Sequence, residues 1–203
     1  MDTDDPAEPV DPADGTESAE PAAPQRDKER TRAAILDAAA AMITEHGSGV
    51  SLAHIAQRAG VSKGALTHHF PHRLELEKAL VRRSNEQFWA DVRALVDLSE
   101  NRPGKLLRAY VRALTSVDSR AAEIFSPSSL LTVLGTRPGM EDEAEQDAAR
   151  WREELTADGI DPVQALMVRV ACEGVAMSLG TPYVTDEERA LAHARLLELA
   201  EPR

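Results

Sequence analysis

The sequence predicts an all-α fold of about nine helices, with a three-helix unit near the N-terminus and a larger helical body behind it. Three observations carry this. Aromatic residues make up only 3% of the 203-residue chain and β-branched runs are scarce, while Ala, Leu and Arg are abundant, a balance that favours helices over sheets. From Ile35 onward, apolar residues recur at helical spacing. Gly and Pro stand where those patterns stop and restart.

The elements follow in order. Residues 1–25 hold eight acidic residues, no basic one and repeated Pro; they cannot bury enough apolar surface to offset the entropy of ordering, and are expected to form a disordered acidic tail. In "DKERTRAAILDAAAAMITEHG", Ile35, Leu36, Ala39, Met42 and Ile43 share one helical face, and Gly47 is the stop. Ser51 then caps a short helix with Leu52, Ile55, Ala56 and Ala59 inward. Gly60 breaks it, Val61 fills the gap, and Ser62 caps another short helix that turns Leu66 inward. Phe70 closes the unit before Pro71. Two short helices joined by a tight Gly-containing turn make a helix-turn-helix.

A long helix is expected over 73–98, burying Leu76, Leu80, Phe88, Val92 and Leu95. Pro103-Gly104 opens the next, with a stripe of Leu106, Leu107, Tyr110, Val111 and Leu114. A weaker helix over 119–134 is interrupted near Ser126-Pro127. Ala144, Ala148, Trp151 and Leu155 mark a helix ending at Asp158-Gly159, Pro162 suits the first turn of an apolar helix to Leu179, and Thr185 or Asp186 caps the last one. The expected division is a tail at 1–25, a head at 26–72 and a body at 73–203.

Charge is segregated along this plan. The formal net charge is −12, yet residues 26–83 hold ten Lys/Arg against six Asp/Glu, with five of the six histidines. A polyanion senses the field within about 8–10 Å, so the basic head matters more than the acidic average. No apolar run reaches the ~18 residues that span a bilayer. The acidic, Pro-rich start is unlike a secretion signal, so a soluble, cytoplasmic protein is expected. Cys172 is the single cysteine, which rules out an internal disulfide, and among apolar neighbours it is expected to be an inert buried thiol. His68 and His69 diverge by about 100° on a helix and lack a Cys or carboxylate partner, so no metal site is expected. Nor does the sequence offer a cofactor motif or a nucleophile–base set, and no catalysis is expected.

The stretch "TRAAILDAAAAMITEHGSGVSLAHIAQRAGVSKGALTHHFPHRLELEKAL" resembles the DNA-binding segment of the TetR/AcrR family of bacterial repressors, over roughly residues 30–80. Cap, turn, "G-V-S-x-G-x-L" and "H-F" stand at the family's spacings, and "RVACEGVAMSLG" looks like its penultimate, dimer-forming helix. The physics of the second short helix agrees. Gly64 and Ala65 leave it thin enough to enter a major groove, Lys63 is placed to reach a base edge, and Thr67, His68 and His69 lie on its outer surface or rim. Ser51 and Ser62 sit at helix N-termini that favour phosphate oxygens. By resemblance, Arg73 matches a phosphate-binding Lys, and Thr67 stands where relatives commonly carry Tyr.

The resemblance implies a homodimer on a palindromic double-stranded operator, released by a small, largely apolar ligand. Phe88, Trp89, Tyr110, Leu114, Phe125, Leu131, Trp151 and Met167 are the candidates to line its pocket, with Tyr110 as polar anchor, because the body carries both Trp and both Tyr residues. The same residues could instead fill a solid core. Arg93, Arg108 and Arg112 are expected on solvated faces. The competing readings are a DNA-binding regulator with no inducer, controlled by abundance or a protein partner, and a small helical enzyme.

Overall fold

The computed structural model describes residues 23–116, 120–126 and 129–202. Residues 1–22, which hold most of the expected acidic tail, lie outside the described residues; positions 23–25, expected in the tail, belong to the first described helix, which begins at Ala23.

The head consists of α1 (Ala23–His46), α2 (Leu52–Arg58) and α3 (Lys63–His69). Gly47 ends α1 with φ +77°, a conformation that only Gly adopts without strain. The body follows as α4 (Arg73–Ala94), α5 (Lys105–Thr115), a 3-10 helix (Arg120–Phe125), α6 (Leu130–Leu134), α7 (Glu141–Ala157), α8 (Pro162–Met177) and α9 (Asp186–Leu199). Among the described residues every regular element is helical. The helix expected over 73–98 stops at Ala94, and Leu95 is exposed rather than buried. The weak 119–134 segment resolves into the 3-10 helix and α6.

Helix ends follow the capping rules. Asp161 accepts from Gln164 N (2.9 Å) ahead of Pro162, and Thr185 and Glu188 form a reciprocal capping box on α9. The start of α5 is capped from outside the helix. There the Asp158 carboxylate accepts from the backbone N–H of Leu106 (3.1 Å) and Leu107 (3.0 Å), satisfying two orphan donors at the positive end of the helix dipole. Gly104 lets the end of α9 close on the same helix start. Its φ is +90°, and a Cβ there would sit 2.7 Å from the Ala200 carbonyl oxygen.

Two apolar cores form among the described residues. In the body core α5 is central, packed against α4, α8, α9 and the 3-10 helix, with Leu107, Tyr110, Val111 and Leu114 all buried. Arg108, expected in solvent, is 1% exposed there. It donates to Glu100 Oε2 (2.7 Å) and to the carbonyls of Pro103 (3.0 Å) and Ala200 (3.1 Å); a charge is tolerated in a core only with such partners. The other core joins Ile35, Ile43, Ile55, Leu66 and Phe70 of the head to Leu76 and Leu80 of α4 and to Leu134 and Met140 of the body. Packing therefore runs straight across residue 72.

Candidate nucleic-acid interface and effector groove

The turn between α2 and α3 is built by one left-handed residue and two short-range hydrogen bonds. Gly60 takes φ +69°, Val61 N–H donates back to Ala56 O (3.0 Å), and Ser62 Oγ accepts from Ala65 N (3.0 Å) at the start of α3. Ser51 caps α2 in the same way, accepting from His54 N (3.3 Å). Each cap uses an oxygen lone pair, so both exposed hydroxyls keep a proton to donate outward. Ile55, Leu66 and Phe70 are buried and fix the two helices on α1, which places the other face of α3 outward.

On that outer face Lys63, Gly64 and His68 are exposed, Ala65, Thr67 and His69 are half-buried, and α2 and α3 carry no acidic side chain. A Cβ added at Gly64 would meet only Ser62 Oγ, at 3.8 Å, so the backbone there is open to close approach. Thr67 Oγ1 lies within bonding distance of the carbonyls of Lys63 (3.1 Å) and Gly64 (3.0 Å). Its proton is used inside α3, which leaves its methyl group and a lone pair as what it offers outward.

His69 shows what surrounds the end of α3. Its pKa is lowered from the ordinary value, first by burial and then by the positive fields of His68, Lys28 and Arg32. At neutral pH it is therefore a neutral hydrogen-bonding group. The Arg32 guanidinium rests 5.0 Å from the centroid of the Phe70 ring. Lys28 and Arg32 thus extend the basic surface of α3 onto α1. Sequence reading missed both, although their i,i+4 spacing on α1 marks a shared face.

Arg73 is turned inward. Its guanidinium donates to Glu77 Oε1 (2.7 Å) and to the carbonyls of Val50 and Ser48.

The eight residues expected to line a pocket separate. Trp89 and Trp151 stack with ring centroids 4.0 Å apart and planes 9° from parallel. Phe88 and Tyr110 meet these rings or each other edge-on or tilted, Phe125 meets Phe88 edge-on, and Leu114 is fully buried beside them. Tyr110 donates to Glu173 Oε1 (2.9 Å); burial, and then the Glu173 charge, hold its phenol pKa well above the usual 10.0. These six form a filled aromatic core. Leu131 packs instead on the core shared with the head, and Met167 is 66% exposed on α8. Phe88 also borders a groove of about 460 Å³ between α1, α4, the 3-10 helix and α6, lined by Ala121, Ile124 and Leu130 with Arg83, Asp91 and Arg120 among its polar residues, and Met167 borders one of about 290 Å³ between α8 and α9. Cys172 is buried, and its thiol pKa is pushed up to about 12, chiefly by burial.

Residues 35–80 match the family described as bacterial regulatory proteins, tetR family. Residues 104–201 match its counterpart for the rest of the chain, described as tetracyclin repressor-like, C-terminal domain. The chain belongs to the TetR family.

Among relatives of this TetR-family chain, the HTH-type transcriptional regulator BetI of Burkholderia thailandensis is 36% identical over 87 residues, covering 42% of this chain and 45% of BetI. The HTH-type transcriptional repressor KstR2 of Mycobacterium tuberculosis is 27% identical over 124 residues, covering 59% of this chain and 62% of KstR2. The chain thus spans about half the length of the curated relatives it matches. The fold is shared with the multidrug binding protein EbrR complexed with malachite green, at a TM-score of 0.61 and 26% identity, over 83% of this chain and 96% of EbrR. No helix among the described residues is long and apolar enough to cross a membrane.

Proposed function

We propose that this TetR-family regulator is a cytoplasmic, dimeric transcriptional repressor that binds a palindromic double-stranded operator and is released from it by a small, largely apolar ligand. The observation that carries the reading is the outer face of α3. It offers Lys63, bare backbone at Gly64, and His68 on a surface free of carboxylates, as a helix entering a major groove requires. Lys63 reaches a base edge, most naturally guanine O6/N7, while the Ser51 and Ser62 hydroxyls and the cations Lys28 and Arg32 hold phosphates. One small head reads too few base pairs to be selective. Two heads about 34–36 Å apart read successive major grooves of a palindrome.

KstR2 is described as a repressor and EbrR as a multidrug binding protein, which supports release by a ligand. Of the openings of small-molecule size, we take the groove beside Phe88 as the effector site, because it touches α1 of the head as well as the body. A ligand favouring the conformation with mis-spaced heads lowers operator affinity by its differential affinity alone. The filled aromatic core favours a second reading, a DNA-binding regulator with no small-molecule inducer.

Selection of binding sites from random duplexes tests the reading. It should enrich a palindrome with half-sites one helical turn apart, bound less tightly as salt rises. Enrichment of no palindrome would sink it. A small-molecule screen for release of that duplex then separates the two readings.

A further inference from the structure

Arg73 makes more contacts than a surface cation needs. It is the first residue of α4, and its guanidinium spans Glu77 one turn along and the carbonyls of Ser48 and Val50. Those carbonyls belong to the loop between α1 and α2, just before Ser51, the cap of α2. Glu77 is 3% exposed, and a buried carboxylate stands only with partners. Its second cation is Arg137, at 3.7 Å, from the loop between α6 and α7. In that loop Gly139, at φ +91°, lets the backbone lie so close that an added Cβ would be 3.0 Å from Leu74 of α4. The first two turns of α4 are therefore clasped from one side by the head's loop and from the other by the body's.

We infer that Arg73 and Glu77 are positioning residues for DNA binding: they form a strut that sets where α2 begins, and Arg137 ties that strut to the body. The inference rests on the proposed DNA-binding function. In this role, in place of a direct phosphate contact, Arg73 turns one N–H of each of its three nitrogens to an acceptor within the protein. Planar geometry explains the choice of residue. A guanidinium donates in three directions from one plane, whereas an ammonium on a flexible stem cannot hold the same three acceptors in place.

The two roles predict opposite outcomes. If Arg73 positions α2, Arg73→Lys keeps the charge and still loses about tenfold in operator affinity, with the salt dependence unchanged. Glu77→Gln should lose a similar factor, and the double variant should lose little more than either single one, because both break the same strut. Hydrogen exchange on the DNA-free protein gives an independent reading. In both variants the amides of residues 49–52 should exchange faster, while those of α8 keep wild-type protection. Arg73→Lys binding as tightly as wild type would overturn the inference, as would tighter binding by Glu77→Gln, which would mean that an Arg73 cation had been released toward phosphate. Unchanged exchange at 49–52 would overturn it even if operator binding is confirmed. Faster exchange there with no operator found for the wild type would leave the strut standing and sink the DNA-binding reading instead.

Discussion

Gly174→Arg should give folded monomers that have lost the operator. On α8 the apolar residues Val163, Leu166, Met167, Val170 and Met177, with Leu191 on α9, are 49–67% exposed, while the buried positions Ala165, Val168, Cys172 and Ala176 include none larger than valine. A free-standing protomer gains nothing from that arrangement; a second copy laid on the same face does. Fully burying a side chain of this kind is worth about 1.5–3 kcal/mol. At half to two-thirds exposure, each of the six has about 1–2 kcal/mol still to gain, so two protomers have roughly 12–24 kcal/mol against an association cost of about 4–15 kcal/mol. That leaves room for a dimer at micromolar concentration or below, about −8 kcal/mol. Gly174 lies on the exposed strip with Met167, Val170 and Met177, and a Cβ there meets nothing within 4 Å. An arginine is therefore harmless to the protomer but places a cation from each copy inside the apolar contact, at several kcal/mol per ion. Dimer affinity should fall at least about a thousandfold, roughly 4 kcal/mol. Sedimentation across a concentration series would show it, with circular dichroism confirming an intact helical fold. The reasoning fails if the variant stays dimeric at micromolar concentration, or if the wild type is already monomeric there.

Three other outcomes are expected. Leu114→Trp should cost about 1–3 kcal/mol in thermal or urea denaturation by overpacking the filled aromatic core; a variant of wild-type stability would reveal a cavity beside Tyr110. Lys63→Ala should relax base preference at one operator position at about 1–3 kcal/mol, and binding-site selection with an unchanged preference there would remove Lys63 as a reader. His193, on α9 with Nδ1 2.7 Å from Thr115 Oγ1, has its pKa lowered from 6.5 by burial and then by Arg112. The unfolded chain then binds the proton more readily, so this contribution is whole above about pH 6.5 and is lost as pH falls below it. Denaturation between pH 7.5 and 5.5 should show that loss, and His193→Gln should reduce it.

The parts of this molecule legible from sequence are those fixed by local chemistry. Gly60, Val61 and Ser62 specify the turn before α3 because a left-handed backbone, a plug and a cap are each a property of one residue type. The stripe on α5 was equally plain, since five large apolar residues share one face. Met167 was not. Helix α8 is apolar on most sides, so periodicity cannot separate the face meeting the core from the face left open, and residue size points the wrong way. The burial of Arg108 and the contacts of Arg73 were hidden for a different reason. Apart from Glu77, which is one helical turn from Arg73, their acceptors are backbone carbonyls and an acid brought near by folding, and a carbonyl leaves no mark in a sequence. In α7, Ala144 is exposed while Glu143 is buried 3.6 Å from Arg82, another ion pair that apolar periodicity could not anticipate.

The core shared across residue 72 also bears on how such a protein can be rebuilt. Grafting residues 26–72 onto a foreign body would strip Ile35, Ile55, Leu66 and Phe70 of Leu76, Leu80, Leu134 and Met140, opening a cavity for which the transplant has no filler. A chimera that changes operator choice while keeping the partner's sensor should therefore carry the start of α4 and the facing surface of α6 along with the reading head. Alternatively, it can exchange only the exposed residues of α3, which the shared core does not touch.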